Sequence, residues 1–166
     1  MDGGQDPSRR SGAERVSEQV PEAQIGRRPE TEGEFAGWTY WAGDPFEDRA
    51  GPFYEKQLDD GTAVIAFRAE QRHMNGGGFM HGGCLMTFAD GALFSIARKE
   101  LVDSHAVTLS LSGDFLEAVH VGQLVEARGE VVRGGGKTIF VAGMVTADGT
   151  PVLRFDGIIR KLARRD

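Results

Sequence analysis

The chain has 166 residues, of which 40% are hydrophobic, and this is enough for one folded domain and a polar tail. Its net charge of −6 argues against nucleic acid as a partner, because binding to phosphates needs a basic face. The one cysteine, Cys84, cannot form a disulfide within the chain, which favours a reducing cytoplasm. No apolar run reaches the roughly 18 residues of a membrane span, so we expect a cytoplasmic protein without a membrane partner.

The chain begins with a long polar segment. Residues 1–34 are rich in Gly, Pro, Glu, Arg and Ser and lack hydrophobic periodicity, so we predict a disordered N-terminal extension there. The folded domain is predicted to comprise residues 35–166. Its first part, residues 35–54, is rich in aromatic residues and turn formers. This part is predicted to be a short helix or loop that packs over the domain and lines a pocket.

The elements that follow are predicted to be strands around a single helix. Two apolar segments, 54–58 and 62–70, flank Asp59-Asp60-Gly61, which is typical of a β-hairpin. Residues 82–100 form an almost continuous apolar run and are predicted to be a helix buried on most faces. Four later segments are predicted to be strands, and several of them show the alternation of antiparallel strands: 106–119, 123–133, 138–147 and 151–162. One sheet can cover such a helix only by curling around it, so the predicted class is α+β, with a curled antiparallel sheet wrapped around one long central helix.

The most informative stretch is "NGGGFMHGGCLMTFAD", residues 75–90. Asp90 is the only charged residue from Gly82 to Ala97, and burying a lone carboxylate is costly unless something compensates. Glycines at a helix start let a ligand approach, and the first unpaired N–H groups of a helix can stabilise an oxyanion. The alternative, that these glycines only allow tight packing of the helix inside its sheet, stays open. We favour a functional role for Asp90.

The spacing of Gly82 and Asp90 sets a geometric constraint. Eight residues of one helix separate them by about 12 Å along the axis, so they cannot hold the same small reacting group. Two such helices, side by side and antiparallel, would bring Asp90 of one chain to Gly82 of the other. The spacing therefore predicts a homodimer with two identical shared sites.

Three other patterns point to functions that we do not predict. "GGGKT" at 134–138 lacks the first glycine of a phosphate-binding loop, and "GGGFMHGG" at 76–83 lacks the third glycine of a dinucleotide fingerprint. The histidines have no paired metal-ligand spacing, so we expect no metal. His81 is open to two roles, holding the loop by hydrogen bonds or acid–base work. Cys84 is predicted to be a small core residue, not a nucleophile.

The pattern N-(x)5-HGG-(x)6-D, on a buried helix inside a curled sheet, resembles the PaaI-like acyl-CoA thioesterases of the hotdog fold, over residues 54–163. The resemblance implies that the Gly82 N–H polarises the thioester carbonyl and that Asn75 orients water or the carbonyl. It also implies that Asp90 from the partner chain acts as general base or nucleophile, assisted by Thr108 of that same chain. Catalysis would then need no metal and no cofactor beyond the coenzyme A of the substrate. Coenzyme A would bind at a subunit interface, and dimers would assemble into tetramers.

Five further residues are predicted to contact the substrate. Gly83 is expected to contact substrate, and Phe79 and Met80, which depart from the family's usual small and aliphatic residues, are expected to narrow the acyl pocket. Arg133 and Lys137 flank the triple-glycine turn and are predicted to contact the phosphates of coenzyme A. Two other functions remain as alternatives: a hotdog hydratase or dehydratase, and a non-catalytic acyl-CoA-binding module.

Overall fold

Eight antiparallel strands form one sheet in the computed structural model, which describes residues 26–102 and 104–162. The strand order is β1-β2-β3-β4-β6-β7-β8-β5, so the strand that follows the long helix in sequence lies at the edge of the sheet. The strands are β1 (Gly26–Pro29), β2 (Thr39–Ala42), β3 (Tyr54–Gln57), β4 (Ala63–Arg68), β5 (Ala106–Phe115), β6 (Leu124–Arg133), β7 (Thr138–Ala147) and β8 (Thr150–Lys161). The helices are α1 (Glu47–Ala50) and α2 (Gly82–Ile96), and short 3-10 turns span Gly33–Phe35, Gln71–His73 and Arg98–Leu101. The predicted α+β class with a sheet curled around one long helix is confirmed.

The helix α2 is the centre of the hydrophobic core. Its inward residues Leu85, Phe88, Ala89, Ala92 and Leu93 are almost fully buried. The ring of Phe88 packs edge-to-face against those of Phe53 and Phe67, with centroid distances of 5.2 and 4.8 Å. Such burial of large apolar side chains is the main term that holds helix and sheet together.

The helix lies very close to the sheet at Gly157 on β8, the strand next to the edge strand β5. A Cβ atom at Gly157 would lie 2.3 Å from Cδ1 of Leu93, so a residue larger than glycine requires the buried Leu93 side chain to shift. The helix ends at Ile96, and the residues up to Leu101 continue as a tighter 3-10 turn, so the predicted helix end at residue 100 is wrong. The charged residues after Ala97 no longer pack against the apolar surface that α2 covers. Glu100 instead accepts a hydrogen bond from the N–H of Gly135 at 2.8 Å.

The N-terminal boundary differs from the prediction. Residues 26–34, which were assigned to the disordered extension, contain β1 and a 3-10 turn. β1 pairs with β2 along its whole length, and Arg27 forms an ion pair with the buried Glu55 on β3. The strand "GRRP" has no large apolar side chain, so it carries no hydrophobic pattern, and backbone pairing and this ion pair contribute to holding it. Residues 1–25 lie outside the described residues. The stretch 35–54 was predicted to be a helix or loop, and it contains the strand β2 as well as α1.

The edge strand β5 runs antiparallel to α2 along its length. Thr108 contacts Asp90, the backbone at Gly113 lies near Met86, and the ring of Phe115 lies over Gly82. A β-bulge interrupts the pairing with β8 between Thr108 and Ser110. Bulges bend a strand and redirect its side chains, and this one lies next to Thr108. Across residues 26–102 and 104–162, no helix is long and apolar enough to cross a membrane.

Candidate active site

The loop before α2 is a closed turn. The Asn75 N–H donates to the carbonyl oxygen of Phe79 at 2.8 Å, and Oδ1 of Asn75 accepts from the Gly77 N–H at 2.8 Å. Gly78 has φ +83, a conformation that favours glycine. These bonds fix the loop, and they commit the side-chain oxygen of Asn75 to it. The amide NH₂ of Asn75 makes no hydrogen bond to the described part of the chain, so it is the group of this side chain that can serve a substrate or water.

His81 caps the N-terminus of α2. Its ring Nδ1 accepts a hydrogen bond from the Gly83 N–H at 2.9 Å, and the backbone N–H of His81 donates to the carbonyl oxygen of His73 at 2.9 Å. Of the two roles predicted for His81, this geometry performs the structural one, because Nδ1 is engaged with the backbone. The hydrogen bond to Nδ1 of His81 also engages the backbone N–H of Gly83, a residue that was predicted to contact substrate.

Gly82 is the first residue of α2. Within residues 26–102 and 104–162 its N–H has no hydrogen-bond acceptor, as is usual for the first amide of a helix. A Cβ atom at Gly82 would lie 3.1 Å from Cζ of Phe115. The amide is therefore a free donor at the positive end of a helix dipole, next to an aromatic ring, and this can stabilise an oxyanion.

Asp90 lies two turns further along α2 and is half-buried. Its Oδ1 accepts a hydrogen bond from Oγ1 of Thr108 at 2.6 Å, so the predicted partners Asp90 and Thr108 lie together in one protomer. The face of α2 that contacts β5 carries Gly82, Met86 and Asp90, which are spaced four residues apart in the sequence. Gly82 and Asp90 nevertheless stay about 12 Å apart along the axis. One protomer thus carries both halves of the predicted site, but not in reach of each other.

The predicted substrate-contact residues are spread over the surface and the core. Phe79 is 44% exposed at the mouth of the loop, whereas Met80 is only 3% exposed and packs in the core. Met80 is therefore not placed for direct contact with a substrate in this protomer. Arg133 and Lys137 are exposed beside a turn that contacts Glu100, beyond the C-terminal end of α2. Within one protomer they lie at the opposite end of α2 from Gly82.

A cavity of about 580 Å³ lies beside the C-terminal half of α2. Aromatic rings of Trp41, Phe53, Phe88 and Phe94 line it, and so does Gly91, the residue after Asp90. The prediction that the stretch 35–54 lines a pocket is confirmed by Trp41 and Phe53. The lining combines these aromatic rings with charged side chains, among them Arg27, Glu47 and Glu55.

Glu55 is the buried acid of this cavity. It forms ion pairs with Arg27 and Arg98, the latter at 2.9 Å, and accepts a hydrogen bond from Oγ of Ser95 at 2.6 Å. Burial, followed by the nearby charge of Arg98, lowers the pKa of Arg27 to about 10. The carboxylate of Glu55 is therefore fully compensated, and it holds β1, β3 and the end of α2 together.

Glu47 is the second acid of this cavity. Its carboxylate has no hydrogen bond or ion pair to any residue in the described ranges. Burial raises the pKa of Glu47 to about 7; the negative charges of Asp44, Asp48 and Asp90 add to the shift, and the positive charge of Arg27 opposes it. Sequence reasoning missed Glu47 and Glu55, because both lie in short segments whose burial depends on tertiary packing.

A second concavity, of about 440 Å³, lies near the start of α2, and Arg49, Arg72, His81 and Cys84 contribute to its lining. Burial raises the pKa of the Cys84 thiol to about 11, so little reactive thiolate forms at neutral pH, which fits the predicted core role. The side chains that the structure describes contain no group of three or more His, Cys, Asp or Glu that could hold a metal ion.

Comparison with known proteins places this arrangement in a family. Residues 77–153 match the model of the Thioesterase superfamily. A Pseudomonas aeruginosa protein named "Putative esterase PA0474" is 33% identical over 99 residues, which are 59% of this chain and 74% of that protein. The chain belongs to the thioesterase superfamily. The prediction of a hotdog-fold, PaaI-like thioesterase is thereby confirmed at the level of the family.

Solved structures show the same fold. The BH2602 protein of Bacillus halodurans, whose structure contains CoA, is 26% identical, with a TM-score of 0.61 over 67% of this chain and 74% of that chain. The PaaI protein of E. coli, from the phenylacetic acid degradation operon, is 24% identical, with a TM-score of 0.57 over 61% of this chain and 72% of that chain. At this identity, the similarity to PaaI concerns the fold alone.

Proposed function

We propose that the protein hydrolyses the thioester of an acyl- or aryl-CoA to the free acid and CoA. The observation that carries the proposal is the Thr108–Asp90 hydrogen bond on the same face of α2 as the free Gly82 amide. A neutral thioester needs no half-buried carboxylate for binding, but its hydrolysis needs a proton acceptor near the carbonyl carbon. Membership of the thioesterase superfamily and the CoA in the structure of the BH2602 protein support the same substrate class.

Each group has a defined task in this reaction. Water attacks the carbonyl carbon while Asp90 accepts its proton, and the oxyanion accepts a hydrogen bond from the Gly82 N–H. The C–S bond then breaks, and the CoA thiolate leaves and takes up a proton. In the alternative route the Asp90 carboxylate attacks the carbonyl itself, and water cleaves the resulting anhydride. In either route Thr108 occupies Oδ1 of Asp90 and leaves Oδ2 free to react.

A homodimer would bring Gly82 of one subunit close to Asp90 of the other, which a single protomer does not do. β5 is an edge strand with one side unpaired in the protomer, and it exposes the apolar side chains of Val107, Leu109 and Phe115. Exposed apolar edge strands invite pairing with another chain. A two-fold axis near the middle of β5 would pair two such strands and bring Asp90 of the partner subunit to Gly82. Assembly of two dimers into a tetramer remains part of the proposal.

Coenzyme A would then lie across the subunit interface. Arg133 and Lys137 lie near the C-terminal end of α2, the end that an antiparallel partner brings closer to Gly82 of the other chain. Their exposed cationic groups can pair with phosphates. This role is tested by the Lys137 variant in the Discussion.

The experiment that tests the proposal measures thiol release from a panel of acyl-CoAs. Turnover by the wild type supports a thioesterase. Addition of water to an enoyl-CoA would instead support the hydratase, and saturable binding without turnover would support the binding module. The Asp90→Asn variant keeps the size of the side chain, and we expect its kcat to fall by roughly 10²–10⁴ while substrate binding persists. Asp59→Asn, in the exposed β3–β4 turn, is the matched control and should leave kcat unchanged.

A further inference from the structure

The cavity beside α2 reaches the residue that follows the proposed catalytic Asp90. Gly91, next to Asp90, lines the cavity, and the rings of Phe53, Phe88 and Phe94 supply much of its apolar surface. Asp90 is also close enough to Glu47, another lining residue, for its charge to act on that side chain. An acyl group whose carbonyl carbon lies at Asp90 therefore has a cavity of about 580 Å³ nearby, walled by aromatic rings and by charged side chains.

The charges that line this cavity are unevenly matched. Three acids, Asp44, Glu47 and Glu55, face two cations, Arg27 and Arg98. Both guanidinium groups are already engaged in ion pairs with Glu55. The charge of Arg27 also acts on Glu47, whose carboxylate has no hydrogen-bond or ion-pair partner in the described ranges.

We infer that this cavity holds the acyl group and that Glu47 sets its charge specificity, so that uncharged acyl groups are accepted and acyl groups with a terminal carboxylate are rejected. The inference rests on the proposed hydrolysis of acyl-CoA. A second carboxylate would lose water in this cavity and would lie near the negative charge of Glu47, while both guanidinium groups of the lining already pair with Glu55. A terminal hydroxyl, in contrast, can donate a hydrogen bond to Glu47.

The rejection depends on pH. Because burial raises the pKa of Glu47 to about 7, its charge is present at pH 8 and is mostly lost at pH 6. Repulsion of an anionic acyl group should therefore weaken as the pH falls through 7. The titratable and charged groups that face Glu47 are Arg27 on β1, Asp44 before α1, Asp48 on α1, Glu55 on β3, Asp90 on α2, Arg98 after α2 and His105 before β5.

The test compares substrates that differ only in the terminal group. Hexanoyl-CoA is paired with adipoyl-CoA, and octanoyl-CoA with suberoyl-CoA, so each pair has the same number of carbons. At pH 8 we expect the wild type to favour the uncharged member by at least tenfold in kcat/KM, and Glu47→Gln to narrow that ratio by about tenfold. Glu130→Gln, an exposed acid on β6 outside the cavity, is the control and should leave the ratio unchanged.

The pH profile of the wild type gives a second readout that needs no variant. The ratio should fall between pH 8 and pH 6. Equal turnover of both members by the wild type at pH 8, or an unchanged ratio in a folded Glu47→Gln variant, would overturn the inference. Failure of the wild type to hydrolyse any acyl-CoA would instead count against the proposed function, so the two failures are distinguishable.

Discussion

The hydroxyl of Thr108 offers the sharpest single-atom test of the site. Thr108→Val keeps the shape of the side chain and removes the donor that Oδ1 of Asp90 accepts at 2.6 Å. A hydrogen bond to a charged group contributes about 1.5–3 kcal/mol. If the bond holds Asp90 in its reactive orientation, this corresponds to a fall in kcat of about 10- to 150-fold, since 1.4 kcal/mol is a factor of ten. KM should change little, because Thr108 does not contact the CoA part of the substrate in this account.

The assay is thiol release under saturating acyl-CoA, with thermal unfolding measured in parallel. Thr108→Ser restores the hydroxyl and should retain most of the wild-type kcat. Thr138→Val, the same change at the start of β7 and away from Asp90, should leave kcat unchanged. A kcat of Thr108→Val within twofold of the wild type would refute the idea that Thr108 orients Asp90.

Three further results are expected. Lys137→Ala should raise KM for acyl-CoA at low salt and leave kcat nearly unchanged, because uniform binding to a phosphate would be lost; an unchanged KM would remove Lys137 from the site. Gly157→Ala should destabilise the fold by about 1–3 kcal/mol in denaturant titrations, because the new Cβ meets the Leu93 side chain at 2.3 Å. The control Gly91→Ala should be neutral or stabilising, because no heavy atom lies within 4 Å of its new Cβ. Equal effects of the two substitutions would contradict the close approach of α2 to β8. Folding raises the pKa of Glu47 from 4.5 to about 7, so the free energy of unfolding should fall by about 1–3 kcal/mol as the pH rises across that window. The Glu47→Gln variant should not show this fall. Parallel curves of stability against pH for the wild type and the variant would contradict the raised pKa.

The strong local patterns predicted the central part of the fold. The apolar run that follows the glycines begins its helix at Gly82, and β7 spans the predicted residues 138–147, because hydrophobic periodicity and glycine turns both mark these elements. β1 was missed, since Arg27 and its neighbours are held by pairing and by Glu55 and carry no apolar pattern.

The site was predictable only where local sequence carries its geometry. Gly82 and Asp90 share one helix, so their face and separation follow from helical geometry alone. The Thr108 contact came from the family resemblance, and the structure shows it as a hydrogen bond across elements. Glu47 lies in a turn-rich stretch, and its position in the cavity depends on how β1, β2 and α1 pack, which no local pattern encodes.

The central claim is that each site combines Gly82 of one subunit with Asp90 of the partner subunit. Two inactive variants test it. Asp90→Asn removes the base, and Gly82→Pro removes the N–H at the first helical position, where proline is tolerated and where the extended His81 suits it. Gly82→Ala adds the same Cβ beside Phe115 but keeps the N–H, so it controls for the contact with that ring and should retain more activity than Gly82→Pro.

The most direct measurement is the activity of these two variants after mixing, with subunit exchange verified by differently tagged chains. A mixed dimer carries both lesions in one site and neither in the other. If subunits exchange at random, half of the dimers are mixed, and about a quarter of wild-type activity should return. The absence of any recovery in verified mixed dimers would mean that both groups act from one chain, against their separation of about 12 Å along α2.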